Sequence, residues 1–356
     1  MVVLLLLLFR RVGALAVSAR PTPGSSARAQ ITPIAGAYRM LRSGAILLLA
    51  ATATAFSPAT PARHVILIVA DDLGYADLGY TGSQIATPNI DKLASQGVKL
   101  SDFYVQRACS PTRAALMTGR YNIRYGFQSG VLTDHNNYSL PLTETLLPEF
   151  VHRTRPSSTH AVGKWHLGYH QWEHTPTFRG FDSYLGYYSG MADYFTHHGG
   201  CGGYDLHLAE RPKCGRNCSR PMWEANGVYS THLFSDRAIA LIDAHEAARS
   251  GSLFLYLPYQ AVHMPDQVPP SYMQPYDFPK VLGTNARNDF AGMLAALDEG
   301  IGNITAALTC AIGTMGTRAA PHPPCVPLAA LLMWLLLTRL GLPIGGAGAT
   351  RCSTRR

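Results

Sequence analysis

The sequence predicts an α/β fold built on a mostly parallel central sheet. Two observations carry that expectation. The apolar runs His64–Ala70 and Ser252–Leu257 lack the period-two alternation of half-exposed strands, so both faces are expected to be buried, as in parallel sheets. Polar residues then follow each run, Asp71-Asp72 after the first and His263 after the second. Open α/β sheets collect ligands at the carboxyl ends of their strands, so these residues are expected on the working edge. At 356 residues the chain is long enough to bury a large core.

Taken in order, Asp71-Asp72-Leu73-Gly74 ends the first strand. Two carboxylates there need a positive partner. Their hard oxygens favour Ca²⁺ or Mg²⁺; a solvated Asp-Asp turn is the alternative. Thr87–Gly97 reads as a helix capped by Thr87, opened by Pro88 and stopped by Gly97. Ile90, Leu93 and Ala94 form its apolar face, a packing role.

Cys109-Ser110-Pro111-Thr112-Arg113 places a thiol, a helix-starting proline and a fixed cation within five residues. Thr112–Gly119 is expected to be helical, with Gly119 as its stop. Cys109 then sits at the positive end of the helix and Arg113 faces the same spot, an arrangement that suits a phosphate or sulfate group. The alternative is a buried thiol packing as a small hydrophobe. Further on, Gly163-Lys164-Trp165-His166-Leu167-Gly168 spaces a lysine and a histidine by two. In a strand they point to one side, where they can contact an anion and exchange a proton; a satisfied histidine beside a surface lysine is the bland alternative. His263, just past the second apolar run, is a substrate contact or a structural imidazole. Near the carboxyl end, Phe290, Met293, Leu294, Leu297 and Ile301 continue as a helical stripe to Leu308.

Cys109–Arg120, with its Cys-x-Pro-x-Arg core and downstream Thr-Gly-Arg, resembles the signature of the type I sulfatases. GKWHLG resembles their second signature, Ala70–Gly74 their metal segment, and Ala261-Val262-His263-Met264-Pro265 their substrate histidine. The resemblance covers residues 64–308 and is greatest to the arylsulfatase B-like branch. It implies an alkaline-phosphatase-like α/β sandwich whose carboxyl-terminal part is missing. It also implies hydrolysis of a sulfuric ester on a sulfated small molecule or glycan. Cys109 is implied to be the precursor of formylglycine, made by the formylglycine-generating enzyme and acting as its hydrate. Asp71 and Asp72, with the converted residue 109, are implied to hold Ca²⁺ (Mg²⁺ being possible). Arg113 would steady the hydrate, Lys164 grip sulfate, His166 act as base in the collapse and His263 serve near the leaving oxygen. A phosphoester or phosphonate hydrolase and an inactive truncated fragment stay open as alternatives.

The formal net charge is +8, but its distribution excludes nucleic-acid binding as the main role. Residues 1–63 hold seven arginines and no acid, residues 300–356 hold five, and the middle has 18 basic and 22 acidic side chains. Met40-Leu41-Arg42, the apolar Ala45–Ala51 and Ala53-Thr54-Ala55 have the pattern of a signal peptide over residues 40–55. Residues 1–39 are then an extension of no catalytic use. Seven cysteines and three Asn-x-Ser/Thr acceptors, at Asn137, Asn217 and Asn303, fit the secretory pathway, lysosomal or secreted. One disulfide is expected among Cys201, Cys214 and Cys218; a zinc site with His197 and His198 is the alternative. After Glu299 there is no Asp, Glu or Lys, so the Asp-Asn and lysine that the resemblance requires do not occur. Residues 309–356 are expected to be an aberrant, disordered tail. Their apolar run Leu328–Leu337 is about half the roughly 20 residues a membrane span needs.

Overall fold

The computed structural model describes residues 3–9, 64–154, 156–213, 215–248, 251–280 and 283–313. Strands are β1 (Val3–Phe9), β2 (His64–Ala70), β3 (Ser157–Lys164), β4 (Ser183–Tyr187), β5 (His207–Ala209), β6 (Ser219–Pro221) and β7 (Ser252–Pro258). Helices are α1 (Pro88–Gln96), α2 (Cys109–Thr118), α3 (Leu147–Thr154), α4 (Ser230–Ala248) and α5 (Ala286–Gly313). One seven-stranded sheet runs in the order β1-β2-β7-β3-β4-β5-β6. Its middle pairs, β2 with β7, β7 with β3 and β3 with β4, are parallel. The flanking pairs β1–β2, β4–β5 and β5–β6 are antiparallel. This is the mostly parallel α/β sheet expected, with an antiparallel margin on each side.

Alternation along β2 sorts the core into two layers. Ile66, Ile68 and Ala70 face one layer with residues of α1, α4 and α5. Leu67 and Val69 face the other with Ala114 and Met117 of α2. Helices therefore cover both faces, which is why the central strands are apolar throughout.

The sheet order decides where the chemistry goes. β7 lies between β2 and β3, with Leu67 beside Tyr256 and Ala161 also beside Tyr256. The carboxyl ends of three adjacent strands thus deliver Asp71, Lys164 and the His263 loop to one edge. β3 and β7 approach closely there: a Cβ on Gly163 would lie 2.0 Å from the Pro258 carbonyl oxygen, and its φ of +124° also requires glycine.

Two helix starts differ from expectation. Thr87 does not cap α1 with its side chain. Its hydroxyl instead accepts the Gly79 N–H and donates to Asp91. The cap comes from α5, where the Asp298 carboxylate accepts the N–H groups of Asn89 and Ile90. α2 begins at Cys109 rather than after Pro111. Proline is tolerated in the first turn because an N–H there has no intrahelical acceptor. Gly119 ends α2 as expected, with φ 65° and its N–H on the Ala115 carbonyl. α5 continues past Leu308 to Gly313. The signal-peptide segment and residues 314–356 lie outside the described residues.

Candidate active site

Cys109 is the first residue of α2 and so sits at the positive end of that helix. Its Sγ donates to Asp71 Oδ1 at 3.6 Å. The other carboxylate oxygen takes two cations: Lys164 Nζ lies 2.5 Å from Asp71 Oδ2 and Arg113 Nη2 lies 3.3 Å from it. Arg113 also donates to the Lys164 carbonyl at 3.0 Å. Asp71, Arg113 and Lys164 are all fully buried. Cys109, Arg113, Asp71 and Lys164 therefore form one contiguous network. Lys164 is committed to the Asp71 carboxylate, so it is not the surface lysine of the bland reading.

Burial on its own would raise the Asp71 pKa, but the Lys164 and Arg113 charges overcome it and hold the carboxyl well below the usual range. Cys109 shifts the other way. Burial pushes its thiol pKa up, and the nearby Lys164 charge does not reverse this. A protonated, buried thiol is a weak nucleophile.

His166 also departs from expectation. β3 ends at Lys164, and His166 has a left-handed φ of 55°, so strand alternation does not set its direction. The loop turns it into a buried position 2.7 Å from the Leu132 carbonyl. A carbonyl only accepts, so Nε2 must carry the proton and Nδ1 holds the lone pair. Burial, then the Lys164 charge, lowers the His166 pKa to about 3. Gly190 packs against this ring, where a Cβ would come within 2.8 Å. Sequence reasoning missed the Leu132 carbonyl, since a backbone acceptor has no residue signature.

His263 is brought to the same edge. Its Nε2 lies 3.6 Å from Asp72 Oδ2. Asp72, like His166, has a left-handed φ, 57°. Such non-glycine positions cost energy and gather at functional sites. The His263 loop is tied to the end of β2 by Asp71 N–H on the Ala261 carbonyl (3.0 Å) and Val262 N–H on the Asp71 carbonyl (2.9 Å). Tyr194 donates to the His263 carbonyl at 2.8 Å, a second support that the sequence did not reveal.

A ligand atom each from Asp71, Cys109 and His263 lies within 4.8 Å of the others, a spacing that can enclose a metal ion. Asp71 and Asp72 supply hard carboxylate oxygens, the right chemistry for a divalent cation of the Ca²⁺ or Mg²⁺ kind. Beside His166 opens a cleft of about 550 Å³ whose walls include Tyr169, Trp172, Tyr188 and Tyr204, with Asp134 and Asp205. A narrower pocket lined by His166 shares Asp134, Tyr169, Tyr188 and Ser189 with that cleft.

The cysteine-rich loop behaves differently. Cys201 is a free, exposed thiol with Sγ 3.4 Å from His135 Nε2, whereas Cys218 is disulfide-bonded. His197 Nε2 is turned to the Ala225 carbonyl. Among the described residues no zinc donor set forms there.

The family model of the sulfatases matches residues 63–310. The chain belongs to the sulfatase family. Arylsulfatase J from Mus musculus is 41% identical over 255 residues, 70% of this chain and 40% of that protein. Arylsulfatase A from Homo sapiens is 43% identical over 142 residues, 39% of this chain and 28% of that protein. This sulfatase chain thus spans well under two thirds of the curated relatives it matches. The crystal structure of Ps i-CgsB superposes with a TM-score of 0.59 at 33% identity, covering 68% of this chain and 54% of that one. Ps i-CgsB has also been solved in complex with k-i-k-neocarrahexaose.

Proposed function

We propose that this sulfatase chain carries a sulfuric ester hydrolase centre acting on a sulfated carbohydrate. The observation that carries the reading is the placement of Cys109: at a helix N-terminus, against Asp71, with Arg113 and Lys164 on the same carboxylate. A buried, protonated thiol in that position is a poor nucleophile but a suitable precursor. Conversion to formylglycine would supply a hydrate with one hydroxyl to attack sulfur and another to release sulfate without a second attack.

The chain's own residues then have distinct tasks. Asp71 and Asp72, with the oxygen at position 109, would hold the cation, for which Ca²⁺ is the proposed identity. Bound there, the cation neutralises sulfate oxygens. Ca²⁺ takes 6–8 oxygens, so water and substrate would complete the shell. Arg113 orients the side chain at position 109. Once a cation takes the Asp71 carboxylate, Lys164 would be released to oppose the negative oxygens of the ester. Each such contact contributes about 10²–10³ in rate. His166 Nδ1, the unprotonated ring atom, receives the proton as sulfate leaves. His263 stands on the leaving-oxygen side and hands over a proton there.

The aromatic cleft supports a sugar substrate, since flat rings with carboxylates in the same lining fit a pyranose face and its hydroxyls. The k-i-k-neocarrahexaose held by Ps i-CgsB points the same way. Asn137 and Asn303 are exposed, as glycan acceptors must be, which supports passage through the secretory pathway. Among the described residues no helix is long and apolar enough to cross a membrane.

The test is turnover by full-length protein co-expressed with the formylglycine-generating enzyme. Aryl sulfate should be cleaved, aryl phosphate at least about tenfold more slowly, and chelation with EGTA should abolish both until Ca²⁺ is restored. Preferential phosphate cleavage would overturn the sulfate assignment.

A further inference from the structure

A second cluster of metal-ligating side chains lies at the opposite end of β2. His64 is the first residue of that strand; His245 and Glu246 belong to the last turn of α4. Alternation puts His64 on the same face as Ile66 and Ile68, the face on which Leu241 and Ile242 of α4 pack. β2 has seven residues, so at about 3.3 Å each the cluster is about 20 Å from Asp71.

The three side chains converge. His64 Nε2 lies 3.3 Å from Glu246 Oε1. The His64 and His245 rings meet edge to face with centroids 5.3 Å apart. One ligand atom from each of the three residues falls within 4.8 Å of the others. Both histidines are nearly buried, and Glu246 is partly so. His245 is hydrogen-bonded to the Gly251 backbone. A backbone partner on one ring nitrogen is how metal-ligating imidazoles are commonly oriented.

Chemistry separates this cluster from the catalytic edge. Two imidazoles and one carboxylate suit zinc, which takes His nitrogen and Glu oxygen at about 2.0–2.1 Å in tetrahedral sites. That bond length implies ligand atoms roughly 3.3 Å apart, the spacing that His64 and Glu246 already have. The His245 ligand atom lies within 4.8 Å of the other two, a gap that rotation of side chains at the helix end would close.

We propose that His64, His245 and Glu246 bind one zinc ion, with water as fourth ligand, and that the ion fastens the end of α4 to the start of β2. It is a structural clip, independent of the sulfate ester centre. A ligand bound only to the folded state raises stability by mass action.

The test uses metal-stripped full-length protein titrated with Co²⁺ as a spectroscopic stand-in and then with Zn²⁺. One equivalent of Co²⁺ should give the intense visible absorption of a four-coordinate site, and Zn²⁺ should displace it. The Asp71→Asn variant should bind equally well. His245→Gln and Glu246→Gln should weaken binding at least about tenfold. Glu246 is partly exposed on a helix, so Glu246→Gln should fold and decides the matter if His245→Gln does not. Absence of the cobalt band in the unaltered chain, or unchanged affinity in folded Glu246→Gln, overturns the site. Loss of the band in Asp71→Asn that keeps its folded circular dichroism spectrum would place the metal at the catalytic edge and overturn it equally.

Discussion

The two ends of β2 carry polar clusters of opposite construction. At the carboxyl end, Asp71, Arg113 and Lys164 are fully buried, and with His263 they come from three adjacent strand ends and the first turns of one helix. Two neighbours, Asp72 and His166, sit in left-handed backbone conformations. At the amino end, His64, His245 and Glu246 come from one strand and one helix, inside regular structure. The contrast teaches where a parallel sheet puts chemistry and where it puts reinforcement. Strand ends that feed into loops can aim several side chains at one point, at the cost of strained backbone and buried charge. A strand start packed beneath a helix end brings fewer groups together and gains mainly rigidity.

The largest expected effect strikes the buried charges. Asp71→Ala leaves Lys164 and Arg113 without their shared carboxylate. Removing one partner of a buried pair costs about 3–5 kcal/mol. Urea unfolding should show a loss of that size, with turnover abolished; a loss below about 1 kcal/mol would mean the network is not a stabilising unit.

His166→Gln separates chemistry from stability at the same edge. Glutamine can still donate to the Leu132 carbonyl but offers no basic nitrogen. kcat should fall by about 10²–10⁴ with KM changed little. An equal fall in affinity would move His166 from proton transfer to substrate binding.

A smaller, pH-dependent effect comes from His160, within β3 and close enough to His245 for its charge to be felt. Burial, the largest influence, lowers its pKa from 6.5 to about 4, and Nδ1 lies 2.7 Å from Ser183 Oγ. The unfolded chain therefore takes up a proton first as pH falls. Stability from this residue is complete above about pH 6.5 and is lost towards about pH 4, on the order of 3 kcal/mol. Unfolding midpoints of His160→Gln should lose that part of the pH slope; an unchanged slope would assign it elsewhere.

Much of the candidate site's edge was legible because its signals are local. Apolar runs marked β2 and β7, and a proline and a glycine bracketed α2. What failed depended on distant partners. Nothing near Thr87 announces that Asp298, 209 residues away from Asn89, caps α1. Insertion of β7 between β2 and β3 is a property of the whole sheet. The expectation that Lys164 and His166 share a strand face failed because the strand stops at Lys164 and the chain turns left-handed two residues later. The glycines bracketing that segment were the only local warning.

The central claim is that residue 109 works as a carbonyl hydrate rather than a thiol. Peptide mass analysis across Cys109–Arg113, on protein co-expressed with the formylglycine-generating enzyme and assayed for aryl sulfate turnover, tests it most directly. The fraction of peptide carrying the aldehyde should rise in proportion to turnover, and Cys109→Ala should have neither. Full turnover from protein whose residue 109 is wholly unmodified cysteine would contradict the account.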